Sequence, residues 1–170
     1  AKHPHQLIRP TADRAREALF NIIGTEVAKA TVLDLYAGTG ALGLEALSRS
    51  ADRAVFVDNN PQALKIIKKN IAICGFAEKA LVLKRDISKS LDFLAKKLPG
   101  LTFSIIFVDP PYRQGLSAGM LQKLAESDLP APGALIVVED DAAAELPHQV
   151  AELSLADQRH YGETGFWFYR

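Results

Sequence analysis

Val32-Leu33-Asp34-Leu35-Tyr36-Ala37-Gly38-Thr39-Gly40-Ala41-Leu42-Gly43 reads as a short apolar strand, a tight glycine turn and the opening of a helix over 41–49. Gly38, Gly40 and Gly43 satisfy the G-x-G-x-x-G spacing, in which glycines permit a sharp turn and close backbone approach while the helix start presents free N–H groups. The unit predicts an α/β layer structure that holds an anionic or nucleoside ligand. The glycine spacing by itself also fits a dinucleotide enzyme. Asp34 argues against that ligand. Its charge at the strand end faces the place of a pyrophosphate, and like charges repel in a partly desolvated cleft. A ligand with an ammonium and a sulfonium beside its carboxylate suits this charge better, and S-adenosylmethionine is such a ligand. Its ammonium is expected near Asp34 and its carboxylate near the turn of Gly38 and Gly40.

The pattern recurs along the chain. Asp58 ends the apolar run Ala54-Val55-Phe56-Val57, Asp86 follows Leu81-Val82-Leu83-Lys84-Arg85, and Asp109 follows the run from Phe103 to Val108. Asp58 stands about 20 residues beyond the glycine turn, where an acid binds two ribose hydroxyls. Asp86 is suited to accept from an adenine amino group. Either acid can instead cap the segment that follows it. Capping does not require an acid at every strand exit, however, so Asp34, Asp58, Asp86 and Asp109 are expected to converge on one crevice.

Asp109-Pro110-Pro111-Tyr112 carries the chemistry. Neither proline has an N–H, so the carbonyls and the Asp109 carboxylate form an edge that only accepts hydrogen bonds. Such an edge suits an exocyclic NH2 group, and Tyr112 offers a ring on which a base can stack. The plainer alternative is a proline stop after a strand with Asp109 capping the turn. An aromatic amine is a weak nucleophile because its lone pair is delocalised. Accepting both its hydrogens at Asp109 and the Pro110 carbonyl would fix its orientation and aim the lone pair at a methyl donor.

These motifs together resemble the class I S-adenosylmethionine-dependent methyltransferases, in the amino-methylating branch with an Asn/Asp-Pro-Pro-aromatic motif. The opening Arg9-Pro10-Thr11-Ala12-Asp13-Arg14-Ala15-Arg16-Glu17-Ala18-Leu19-Phe20-Asn21, with Arg113-Gln114-Gly115-Leu116 and Tyr161-Gly162-Glu163-Thr164, is similar to the RsmD-type small-subunit ribosomal RNA guanine-N2 methyltransferases. The resemblance implies a Rossmann-like fold whose mostly parallel seven-stranded sheet has an antiparallel last strand and helices on both faces. It implies catalysis by Asp109, Pro110, Pro111 and Tyr112. Cofactor contacts fall to Asp34, Tyr36, Gly38, Gly40, Asp58, Asn59, Asp86 and Ile87, and S-adenosylhomocysteine is the product. Arg9, Arg14 and Arg113 are candidates for substrate binding, and the partner is ribosomal RNA or the assembling small subunit. Family members usually carry a basic strand pair before the Arg-Pro-Thr segment. Here Ala1 to Ile8 precede it, and an opening on Ala fits a processed or trimmed chain with weaker substrate affinity.

The totals fit one domain over residues 1–170, with 1–27 forming an arm and a helix packed on the core. A chain of 170 residues, 48% of them hydrophobic, buries one core, and no linker or repeat interrupts the alternation of apolar runs and helical stretches. Thr11 is the expected N-cap of the first helix, whose Arg14 and Glu17 either face the cleft or pair with each other. Further helices are expected over 61–74, from Ser88 to the Pro99-Gly100 stop, and over 119–127. A fifth strand covers 134–138, and a last pair lies within 153–170. The single Cys74 is expected to be a small buried residue, and no Cys/His spacing suggests a metal. No stretch reaches membrane-spanning length and no signal peptide opens the chain, so a cytoplasmic enzyme is expected, and a monomer is the expected form.

Charge gives a mixed signal. The net charge is zero, against the basic balance usual for nucleic-acid partners. Yet residues 65–97 hold nine Lys/Arg and three Asp/Glu, whereas residues 126–157 hold eight Asp/Glu and no Lys/Arg. Such polarity can orient a polyanion. Adenine-N6 methylation of DNA or RNA, methylation of a protein glutamine or small molecule, a non-catalytic RNA-binding module and a nicotinamide enzyme remain open at this level.

Overall fold

The structure is a computed structural model that describes residues 10–170, with side chains from residue 12 onward. Arg9, expected at the substrate, lies outside the described residues.

Helix α1 (Pro10–Ile23) leads into strand β1 (Thr31–Leu35), and alternation then follows: α2 (Ala41–Ser48), β2 (Arg53–Asp58), α3 (Pro61–Cys74), β3 (Ala80–Lys84), α4 (Asp92–Lys97), β4 (Phe103–Val108), α5 (Leu116–Ala125) and β5 (Pro130–Asp141). The chain closes with β6 (Gln149–Val150), β7 (Leu153–Tyr161) and β8 (Thr164–Tyr169). The strand order is β3-β2-β1-β4-β5-β8-β7-β6. Strands β1 to β5 pair in parallel, and β8 runs antiparallel to both β5 and β7. The antiparallel last strand and the helices on both faces match the expectation. The sheet has eight strands rather than seven because the two-residue β6 pairs with the edge of β7.

Successive side chains of a strand point to opposite faces, and the core divides accordingly. Val32, Phe56, Phe107, Val137 and Phe168 face one way and pack with Leu19, Phe20 and Ile67 of α1 and α3. Leu33, Val55, Ile106, Val138 and Trp167 face the other way, against Leu94, Leu121 and Leu124 of α4 and α5. The Phe20 and Phe107 rings meet at 5.7 Å, which ties α1 to the centre of the sheet. Burying one such side chain contributes about 1.5–3 kcal/mol.

Several boundaries depart from the sequence expectation. Helix α1 already includes Pro10, so Thr11 lies within it and does not cap it. Ser88 starts no helix: Asp86 Oδ1 accepts from the Ser88 N–H at 2.8 Å in a turn, Ser90 Oγ accepts from the Asp92 N–H at 3.0 Å, and α4 spans only Asp92–Lys97. Helix α5 starts at Leu116 because Gly115, at φ 65°, reverses the chain just ahead of it. Helix α3 follows its sequence signals, with the Asn60 side chain accepting from the Gln62 N–H and Gly75 ending it in the left-handed region. Cys74 is exposed, contrary to expectation, since α3 turns Leu64, Ile67 and Ile71 inward instead. Among the described residues, no helix is long and apolar enough to cross a membrane.

The topology locates the crevice. From β1 the chain moves outward through β2 to β3 and then returns to β4 on the other side of β1. Loops leaving the carboxyl ends of β1 and β4 therefore diverge, and a cleft opens between them.

Gly43 sits where α2 crosses β1 and β2. A Cβ there would overlap the Phe56 ring and lie 3.1 Å from Asp34 Oδ2. Gly43→Ala is expected to cost about 1–3 kcal/mol of stability in urea unfolding. By contrast Gly119, within α5, has nothing within 4 Å of an added Cβ, and Gly119→Ala is expected to stabilise the protein by about 0.5–1 kcal/mol.

Candidate active site

The glycine turn is built from backbone conformations that few residues adopt. Tyr36 has φ 59°, Gly38 φ 59° and Gly40 φ 80°. A tyrosine in the left-handed region stores strain that the surrounding structure must hold. Asp58 does much of the holding: Oδ2 accepts from the Gly38 N–H and Oδ1 from the Asn60 N–H, both at 2.8 Å. One carboxylate thus joins the turn after β1 to the start of α3. Each of its oxygens keeps a lone pair for a further donor.

Two adjoining cavities open over these strand ends. The larger, about 630 Å³, is bounded by Gly38, Asn60, Asp109, Pro110, Tyr112 and Glu139 among others. The smaller, about 220 Å³, is bounded by Val57, Arg85, Asp86, Ile87, Ser88 and Gln114 among others. Tyr36, Asp58, Asn59 and Pro111 line both. All four members of the tetrad are therefore in the walls, as are Tyr36, Gly38, Asp58, Asn59, Asp86 and Ile87. Ile87 gives the smaller cavity an apolar floor, being 4% exposed, and Asp86 stands at its rim.

Two residues expected at the cofactor lie behind the wall instead. Asp34 is 1% exposed, and its Oδ2 accepts from the Gly43 N–H at 2.9 Å. It is the fourth residue of a five-residue strand, so it sits below the exit and acts on the cleft through its charge. Gly40 is buried against Ile67 and caps α2.

The wall is strongly acidic. Burial pushes the Asp34 carboxyl up to about 8; the Gly43 N–H opposes this, and the charges of Asp58 and Glu139 add to it. Burial likewise holds Asp109 well above the usual carboxylate range, with Glu139, Asp34 and Asp140 contributing. Glu139 is raised by burial too, while the Tyr112 hydroxyl and the nearby Arg16 favour its ionised form. Burial also raises the Tyr112 phenol, and it raises that of Tyr36 with help from Asp86.

Glu139 was missed in the sequence, although it follows the apolar run Ala134 to Val138 directly, where the parallel pairing of β5 with β4 ends. Its Oε1 accepts from the Tyr112 hydroxyl at 2.9 Å, and Thr164 Oγ1 lies 3.3 Å from the same hydroxyl. Tyr112 is thus anchored at its hydroxyl and 38% exposed. Among the described residues no hydrogen bond reaches the Asp109 carboxylate.

The basic candidates are arranged differently from expectation. Arg113 lines a separate cavity of about 480 Å³ with Ser117, Asp140 and Asp141, and its Nε lies 2.9 Å from Asp141 Oδ2. That pair is exposed on the arginine side and worth little. Arg14 is exposed on α1, with no ion pair to Glu17 among the described residues. Arg16 is half-buried, 3.2 Å from Asp13 and 4.0 Å from Glu45, and its charge is near enough to Glu139 to favour that group's ionised form.

The sequence and fold have relatives among known proteins. A family model described as "Conserved hypothetical protein 95" matches residues 1–170. The chain is 38% identical to ribosomal RNA small subunit methyltransferase D of Escherichia coli over 163 residues, covering 96% of this chain and 79% of that protein. It is 36% identical to the putative rRNA methyltransferase YlbH of Bacillus subtilis over 162 residues, covering 95% and 87%. The solved structure of the putative methyltransferase yhhF from Escherichia coli superposes with a TM-score of 0.79 at 37% identity, covering 95% of this chain and 86% of that one. With an acid-lined cleft at the reversal of strand order and a match over its full length, this chain belongs to the RsmD-type family of S-adenosylmethionine-dependent ribosomal RNA methyltransferases.

Proposed function

We propose that this protein methylates the exocyclic N2 of a guanine in small-subunit ribosomal RNA. The observation that carries the reading is the Asp109 carboxylate, which lines the larger cavity without a hydrogen-bond partner among the described residues, beside two prolines that have no N–H to offer. An acceptor-only edge next to the cofactor turn selects a substrate by its amine hydrogens. The setting is the cytoplasm, the working form a monomer of one domain, and the substrate either free RNA or the assembling subunit.

The residues present fit the cofactor. Three carboxyls whose ionisation is suppressed by burial, Asp34, Asp109 and Glu139, surround a cleft where positive charge would relieve them. Asp58 has free lone pairs for ribose hydroxyls, and the smaller cavity pairs an apolar floor at Ile87 with the Asp86 carboxylate for a base amino group. When bound, S-adenosylmethionine supplies an electrophilic methyl group on a cationic sulfur.

The chain's own contribution is positional. Asp109 and the Pro110 carbonyl accept the two amine hydrogens, which fixes the nitrogen and favours its pyramidal form. The Tyr112 ring supports the base, held by the contact of its hydroxyl with Glu139. A methylated aminium is acidic enough to lose its proton to water, so Asp109 is needed as acceptor and not necessarily as base. A base within a helix must be flipped out to reach this edge, whereas a loop base is nearly accessible.

Asp109→Ala is expected to lower turnover on RNA by roughly 10²-fold or more while leaving S-adenosylmethionine affinity largely intact; full activity would refute the assignment. Because the Asp109 carboxyl is raised, its acceptor form accumulates as pH increases. The wild-type kcat/KM should therefore climb with pH and fall on the acid side, and Asp109→Asn, which keeps a carbonyl acceptor but cannot titrate, should flatten that limb. Mass analysis of the methylated nucleoside should give N2-methylguanine, and N6-methyladenine would contradict the reading. A second titration tests the buried charge. With a folded-state value of about 8 against 3.8, Asp34 destabilises the ligand-free fold as pH rises past 3.8, fully so above about 8. Asp34→Asn should raise the melting temperature much more at pH 9 than at pH 5.

A further inference from the structure

Val108 of β4 pairs in parallel register with Val138 of β5. The next residues, Asp109 just past β4 and Glu139 within β5 just past its last pair with β4, therefore stand side by side, with about 4.8 Å between the strands. Both line the larger cavity. On each strand the side chain falls on the face of Phe107 and Val137, the one covered by α1. Two acids just past the last parallel pair of β4 and β5 thus line one cavity.

Their roles separate by their partners. The Tyr112 hydroxyl engages Glu139 Oε1 at 2.9 Å, and among the described residues no hydrogen bond reaches Oε2. Tyr112 and Arg16 both favour the ionised form of Glu139, and the charge of Glu139 adds to the burial that raises Asp109. A carboxylate engaged by the Tyr112 hydroxyl at one oxygen keeps the lone pairs of its other oxygen for a donor in the cavity.

We infer that Glu139, held by Tyr112, is the residue that selects guanine, its free Oε2 accepting the N1–H while Asp109 and Pro110 accept from the neighbouring amino group. This rests on the guanine-N2 reading above and supplies what the tetrad lacks. An acceptor-only tetrad takes the amine of guanine or adenine alike. The atom beside that amine differs: N1 of guanine is a donor, and N1 of adenine is an acceptor. An anionic oxygen placed there bonds the first and repels the second. Sites built around such a buried acceptor discriminate far more strongly than hydrophobic pockets do.

The test uses the wild-type protein and Glu139→Gln with S-adenosylmethionine and the small-subunit RNA fragment that carries the methylated base. The fragment is made with guanine or 2-aminopurine at that position. 2-Aminopurine keeps the 2-amino group but has an acceptor at N1. Wild type should methylate guanine at N2 and lose roughly 10²-fold or more in kcat/KM on 2-aminopurine. In Glu139→Gln the Tyr112 hydroxyl retains the amide oxygen and the NH2 faces the base, so the guanine to 2-aminopurine ratio should fall at least tenfold. Reduced folding of the variant lowers both rates together and leaves the ratio readable. The wild-type comparison stands without any variant. Equal wild-type rates on the two bases, or an unchanged ratio in the variant while wild type forms N2-methylguanine, would overturn the role of Glu139 and leave the reaction itself standing. Formation of N6-methyladenine by wild type would overturn both.

Discussion

Suppressed negative charge at the carboxyl edge of a parallel sheet is the constraint on which the rest of this molecule depends. Asp34, Asp109 and Glu139 are all raised by burial, and the charge of Glu139 adds to the shifts of the other two. Buried acids of one sign are costly in an empty protein and useful in one that receives a cation. The fold concentrates them because β1 and β4 lie side by side where the strand order reverses, with β5 next to β4. Parallel pairing puts their carboxyl ends at one level, so an acid near each exit converges on the others.

The glycine turn and the acids depend on each other. Asp58 fixes Gly38 through one oxygen and the entry to α3 through the other, and Gly43 lets α2 approach closely enough for its N–H to reach Asp34. Each bond satisfies part of a carboxylate without neutralising it. What remains is an unfilled preference for positive charge beside an edge that only accepts hydrogen bonds. That combination suits group transfer from a cationic donor to a neutral amine, where orientation and field carry most of the acceleration.

Much of this was legible in the sequence because it follows from local periodicity. Apolar runs ending in Asp58 and Asp109, the Asn60-Pro61 cap and the Gly75 stop all act through the backbone within a few residues, and the structure reproduces them. What was hidden depends on packing between distant elements. Asp34 read as a ligand contact because its burial arises only once Gly43 brings α2 against it. Glu139 was passed over because Glu139-Asp140-Asp141 resembles an acidic surface run, and only pairing with β8 carries β5 through Asp141. Arg16 is half-buried and Arg14 exposed because the phase of α1 is set by Leu19 and Phe20 docking on the sheet. The exposed Cys74 has the same origin, since α3 orients by its isoleucines.

The most direct measurement of the central claim is the number of protons exchanged when the cofactor binds, obtained by calorimetric titration at pH 7 in buffers of different ionisation enthalpy. A cation entering beside carboxyls whose protonated form burial favours lowers their affinity for protons and expels them. S-adenosylmethionine should therefore release protons, and S-adenosylhomocysteine, which keeps the ammonium but lacks the sulfonium charge, should release fewer. Binding with no proton release, or with uptake, would contradict the account.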